Sequence, residues 1–171
     1  MGGGRAPEAR QTVMAADTLL LRPAREADVP ELIEIARRAW LSAFAQTAPF
    51  GMLQTWFALD REPGWYTEQW PAMTVAEAAG AVVGLVQPRN DEVNGLWVHP
   101  RAQGAGLGAR LLEEAEHQIA SAGHSVAWLT CSTFNPRAQA FYERCGYRVT
   151  RRYTERFGNM DEEIVRLEKP V

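Results

Sequence analysis

The sequence predicts a mixed α/β fold: a central, mostly antiparallel sheet of about six to seven strands, with helices on both faces. Three observations predict it. Strand-like runs outnumber those of a doubly wound fold, and several are joined by hairpin turns rather than helices. One strand passes through a glycine-rich loop into a helix and on to another strand, the mark of a parallel crossover. At 171 residues with a formal net charge of −3, the chain has the length and balance for one domain with a real core. That domain is expected over 18–171, after a flexible leader over 1–17.

The elements follow in order. "TLLLRPA" (18–24) reads as a buried strand stopped by Pro23. Asp28 is expected to cap a helix with Pro30 in its first turn; Leu32, Ile35, Ala36 and Ala39 recur at helical spacing to about Phe44. A shorter helix is expected over 50–60, then a Pro/Gly-marked loop, "REPGWY". Residues 72–88 split around Ala79-Gly80 into a hairpin, and 92–98 form the next strand, with Gly95 marking a bulge or a close backbone approach. A helix over about 105–122, a strand over 125–131, a short helix from Asn135 to Gly146 and two last strands around Gly158-Asn159 complete the order β-α-α-β-β-β-α-β-α-β-β.

Composition excludes several classes. No basic stripe is evident, so nucleic acid is not expected as a partner. No apolar run reaches the roughly 18–20 residues of a membrane span. The N-terminus lacks the apolar core of a signal peptide, which points to the cytoplasm. Cys131 and Cys145 are too far apart for a metal-binding or redox pair, and the three histidines form no ligand spacing, so no metal is expected.

Gly104, Gly106 and Gly108 in "HPRAQGAGLGARLLEEAE" (99–116) sit where a strand gives way to a helix. The first turn of a helix carries unpaired N–H groups and the positive end of its dipole. Glycines let that backbone approach a phosphate. The spacing G-x-G-x-G is not that of the dinucleotide fingerprint, and no Lys-Ser/Thr follows Gly108 as a P-loop requires.

"LWVHPRAQGAGLGARLLEEAE" resembles the acetyl-CoA-binding motif of the GNAT superfamily of N-acetyltransferases, with the signature on Gln103, Gly106 and Gly108. A second hallmark resembles Asn135, Ala138, Phe141, Tyr142, Glu143, Gly146 and Tyr147. The resemblance covers about 18–169. It implies a GNAT-like fold in which the sheet splays between strands 92–98 and 125–131. It also implies acetyl-CoA as cosubstrate. Its pyrophosphate is expected on the backbone of Gln103, Gly104, Ala105, Gly106, Leu107, Gly108 and Ala109, and its pantetheine along Leu96, Trp97 and Val98. Asn135, Ala138, Phe141 and Tyr142 are expected to complete the cofactor site, Asn135 fitting both a helix cap and a cofactor contact.

The implied reaction is direct attack of a primary amine on the thioester, without a covalent enzyme intermediate. A main-chain N–H near Val98 would steady the developing oxyanion. Tyr142 would return a proton to the departing thiolate, and Glu92 stands where some members carry a general base. Asp91 and His99 are weaker candidates, and Cys131 reads as a packing residue. A non-catalytic module that holds and senses an acyl-CoA is the alternative. The acceptor is a small-molecule or peptide amine. Trp40, Phe44, Phe50, Trp56, Phe57, Trp65, Tyr66 and Trp70 make the preceding region aromatic, and the loop with Trp65 and Tyr66 is expected to roof an apolar acceptor pocket. Many members pair as homodimers through sheet edges or C-terminal strands; hairpin 147–168 offers such a surface here, and the sequence does not decide whether it is used.

Overall fold

The computed structural model describes residues 19–158 and 160–171; the expected leader, Thr18 and Asn159 lie outside the described residues. Seven strands form one sheet in the order β1-β2-β3-β4-β5-β7-β6. They are β1 (Leu19–Pro23), β2 (Thr74–Ala78), β3 (Ala81–Arg89), β4 (Glu92–Val98), β5 (Val126–Ser132), β6 (Arg148–Phe157) and β7 (Met160–Pro170). Every neighbouring pair is antiparallel except β4 with β5. The helices are α1 (Val29–Phe44), α2 (Phe50–Leu59), α3 (Glu62–Gln69), α4 (Leu107–Ser121) and α5 (Pro136–Arg144).

Two expectations change. "REPGWY" is not a loop: Pro63 lies in the first turn of α3, where a missing N–H costs nothing, and the chain continues helically through Gly64. Three helices therefore precede β2, not two. Asp28 does not cap α1 with its side chain. Its carboxylate instead accepts from Arg22 Nη1 and Nη2 at 2.7 and 2.9 Å, and from the Arg25 N–H at 2.7 Å. Arg22 also donates from Nε to Glu77 at 2.7 Å, so β1, β2 and the entry to α1 are tied together.

Each face of the sheet has its own core. On one, Leu107, Leu111, Leu112, Ala115 and Ile119 of α4 pack on Val83, Val86, Val93 and Leu129. On the other, Leu32, Ile35 and Ala36 of α1 pack on Val75, Val82 and Leu85. A third cluster joins the end of α1 to α2, where the Trp40 and Trp56 rings stack at 4.2 Å, with Phe134, Phe157 and Met160 against it. Among the described residues no helix is long and apolar enough to cross a membrane.

A bulge in β4 positions everything that follows. Gln87 pairs with Gly95 but Pro88 with Val93, leaving Asn94 as the extra residue. Pro88 has no N–H to offer the ladder, so the irregularity falls where a bond is already lost. The buried Gln87 side chain takes its bond from Asn94 Nδ2 at 3.1 Å. Bulges bend a strand and increase its twist. Beyond this one, β4 parts from β5, whose only paired position with it is Glu92 with Trp128.

Candidate active site

The parting leaves main-chain groups facing a gap. His99 N–H donates to Val83 O at 2.9 Å across the β3–β4 ladder. Backbone groups alternate sides along an antiparallel strand. Leu96 and Val98, whose neighbours bond β3, therefore direct their N–H and C=O toward β5. With β5 splayed away, these groups form an edge on which an extended amide chain can pair. The Val98 oxygen is taken by Gln103 Nε2 at 3.0 Å, which pins the following loop to the strand end.

That loop turns through Gly104 (φ +85°) and Gly106 (φ +79°). Both sit in the left-handed region, where an L side chain is strained. Nothing lies within 4 Å of where a Cβ would stand at either position, so the backbone there is bare and open. Gly106 is the N-cap of α4 and supplies no capping side chain. The first intrahelical bond is Arg110 N–H to Gly106 O, at 3.2 Å, so the N–H groups before Arg110 are available to an anion. At Gly108 a Cβ would touch Phe141 Cζ at 3.4 Å, so this glycine sets how closely α4 meets α5.

The opposite wall is α5. Asn135 accepts from the Ala138 N–H at 3.1 Å and is its N-cap. Phe141 and Tyr142 meet edge to face at 5.1 Å. Burial pushes the Tyr142 hydroxyl well above the ordinary 10.0, so it stays protonated. Together β4, the glycine loop and α5 line a cleft of about 350 Å³.

Of the expected cofactor residues, Leu96, Trp97, Val98, Gln103, Gly104 and Gly106 line this cleft. So do Gly108, Ala109, Asn135, Ala138, Phe141 and Tyr142. Ala105 is exposed and does not line it. Leu107 turns into the core beneath α4 instead.

Other candidates lie elsewhere. Glu92 is at the opposite end of β4 from Val98, about 20 Å along the strand; it pairs with Arg89 at 3.1 Å and does not line the cleft. The Asp91 carboxylate is held below its ordinary value first by the Trp128 indole. His99 Nδ1 accepts from the Arg101 N–H at 3.2 Å, capping a short turn, and burial lowers its pKa. Burial pushes the Cys131 thiol up to about 12, so it is an unreactive packing residue at neutral pH.

The expected aromatic roof does not form. Tyr66 is only 5% exposed and packs in the α1 core, Trp65 faces solvent, and neither lines the cleft. Ala39, Ser42 and Ala43 of α1 stand there instead.

Arg137 and Arg144 also line the cleft and were missed. They are seven apart on α5, which puts both guanidinium groups on one side of a short helix. That spacing behind Asn135-Pro136 was a visible signal. Neither arginine has an ion-pair partner among the described residues.

The model of the acetyltransferase (GNAT) family matches residues 29–147. A blasticidin-S acetyltransferase of Streptomyces morookaense is 40% identical over 77 residues, covering 43% of this chain and 53% of that protein. The chain thus spans about half the length of that relative. A GCN5-related N-acetyltransferase structure from Rhodopseudomonas palustris superposes with a TM-score of 0.81 at 20% identity, covering 94% of this chain and 99% of the other. A PaiA N-acetyltransferase from Thermoplasma acidophilum, solved in complex with coenzyme A, superposes with a TM-score of 0.72 at 20% identity, covering 90% and 99%. These two share the fold. With a family model matching more than half of its length, over the strand, glycine loop and α5 that build the cleft, the chain belongs to the acetyltransferase (GNAT) family.

Proposed function

We propose that the protein is an acetyl-CoA-dependent N-acetyltransferase that passes the acetyl group to a primary amine of a small molecule or peptide by direct attack. One observation carries this: β4 leaves β5 beside an uncapped helix N-terminus, so an edge for amides and a cradle for phosphates share one cleft. Acetyl-CoA fits both. Its amide-rich arm matches the Leu96 N–H and C=O and the Val98 N–H, and its pyrophosphate matches the open N–H groups from Gly104 to Ala109. Arg137 and Arg144 add positive charge at the rim.

The cosubstrate supplies an activated acyl carbon in a thioester. The chain's residues orient it and manage charge. The Val98 N–H, aimed into the gap, is suited to steady negative charge on the thioester oxygen. Tyr142, held protonated by burial, is suited to return a proton to the departing sulfur. No nucleophilic side chain is required, in keeping with the high pKa of Cys131.

Calorimetric titration with acetyl-CoA, CoA, ATP and NAD tests the assignment. Micromolar binding of acetyl-CoA and CoA without ATP or NAD, followed by thiol release on adding an amine, is the expected result. Binding without thiol release across a panel of amines would favour an acyl-CoA-sensing module. No binding of acetyl-CoA would overturn the assignment.

A further inference from the structure

We propose that Glu162 is the group that receives the acceptor amine: it binds the substrate as an ammonium ion and takes its proton before transfer. This deepens the acetyl-transfer function and rests on it. Glu162 sits on β7 and is only 8% exposed. Its chain neighbours are paired, Asp161 with Arg156 at 2.9 Å and Glu163 with Arg152 at 3.8 Å. Glu162 itself has no cation among the described residues. A buried carboxylate without a cation is costly, and a protein that keeps one has a use for it.

Strand alternation fixes where it looks. Met160, Glu162 and Ile164 share one face of β7, and Met160 packs on the Trp40–Trp56 cluster. Val165, on the other face, belongs to the core under α4. Glu162 therefore faces the α1–α2 side of the sheet, across the sheet from α5 and Tyr142. Ser132, paired with Ile164 through β5, lies on the same face. Its Oγ accepts from the Phe134 N–H at 3.1 Å, and its hydroxyl is near enough to favour the ionised Glu162 carboxylate. Glu162 itself does not line the cleft, but Trp97, which does, packs on the same aromatic cluster as Met160, so the Glu162 side of β7 adjoins the donor's cleft through that cluster.

The surroundings suit a proton acceptor. Desolvation is the main cause that raises the Glu162 pKa above 4.5, opposed by the Ser132 hydroxyl and assisted by Glu155. Glu155 is its cross-strand partner on β6, with Tyr153 next to it on that face. From β5 the facing group is Ser132; Cys131, paired with Val165, lies on the opposite face. Trp40, Trp56 and Phe134 make the neighbouring wall aromatic, which fits an ammonium carried on an apolar body.

The step balances. The ammonium gives one proton to Glu162. The nitrogen lone pair forms the C–N bond at the acyl carbon as the C–S bond breaks. Tyr142 protonates the leaving sulfur and recovers a proton from the new amide nitrogen. Glu162 then releases its proton to water. The sum is ammonium plus acetyl thioester giving acetamide, thiol and one proton.

The test compares wild type, E162Q, E92Q and S132A, with acetyl-CoA as donor and phenethylamine as probe amine, followed by thiol release across pH. For E162Q the expected result is a kcat/KM lower by about 100-fold, with loss of the acidic limb of the pH profile. Its acetyl-CoA affinity stays within about twofold and its Tm is unchanged or raised, since an unneeded buried charge is gone. S132A moves the acidic limb upward, because the ionised carboxylate loses the stabilising influence of that hydroxyl, and E92Q leaves the profile in place. The inference is overturned if E162Q keeps wild-type kcat/KM and the same limb. It is also overturned if E162Q lowers Tm and acetyl-CoA affinity together, the signature of a structural anchor, or if E92Q removes the limb instead. Wild type that binds acetyl-CoA but leaves phenethylamine unmodified overturns the acceptor class alone. Failure to bind acetyl-CoA strikes the proposed function itself.

Discussion

Gln103 reaches back five residues to donate from Nε2 to the main-chain oxygen of Val98 at 3.0 Å. One bond thereby joins the strand edge proposed for the amides of the cosubstrate with the loop proposed for its phosphates. Gln103→Ala is expected to leave the fold intact and weaken acetyl-CoA binding by about fivefold, the equivalent of one net hydrogen bond near 1 kcal/mol. Calorimetric titration checks it, and an unchanged affinity would show that the loop holds its place without this tie.

The glycines of the loop separate strain from binding. Gly106→Ala forces a side chain into φ +79°, a cost of about 1–2 kcal/mol. Gly123→Ala imposes the same kind of strain at φ +94°, just past the far end of α4. Both variants are expected to lose thermal stability, roughly 2–4 °C per kcal/mol for a chain of this size. Only Gly106→Ala should also lose acetyl-CoA affinity. Equal affinity in the two would remove the loop backbone from the phosphate site.

Tyr142→Phe removes one oxygen from a packed ring. Turnover is expected to fall by about 100-fold or more while acetyl-CoA affinity stays within about twofold. Because burial holds the phenol protonated beyond its ordinary 10.0, wild-type turnover should not decline as the pH is raised to that value. A decline well below it would mean that the proton comes from another group.

The Arg22–Asp28 pair makes an acid-sensitive joint. Arg22 holds the Asp28 carboxyl below its ordinary 3.8. A depressed carboxyl contributes stability above that ordinary value, and the contribution is lost as pH falls through the native one. Asp28→Ala, which leaves Arg22 with Glu77 alone, is expected to cost about 3 kcal/mol at neutral pH. Urea midpoints at pH 7 and pH 3 check both statements: the gap between wild type and variant should narrow at the lower pH.

Much of this molecule was legible in local patterns. The glycine loop, the Asn135 cap and the crossover from β4 to β5 all depend on residues close in sequence, and each landed where spacing put it. α3 was hidden because Pro63 and Gly64 read as loop punctuation, although proline in a first turn is compatible with a helix. The aromatic roof failed for a related reason. Trp65 and Tyr66 were judged by the company of Pro and Gly, while helical geometry turned one ring to solvent and the other into the core. Glu162 was unreadable for a different reason. "NMDEE" gives no hint of which acid is buried; only the register of β7 against β5 and β6 decides that.

Because β4 and β5 share a single paired position, the sheet is two hydrogen-bonded blocks with a seam between them. Strands β1 to β4 make one ribbon; β5, β7 and β6 make the other. Local opening costs least where the fewest bonds must break, so amide protons beside the seam exchange sooner than those of β3 or β7. In the proposed placement, a cosubstrate whose amides lie along Leu96 and Val98 would act as a rung at the seam. Loading is then expected to slow amide exchange along β4, so that the seam opens less readily when the protein is charged for transfer.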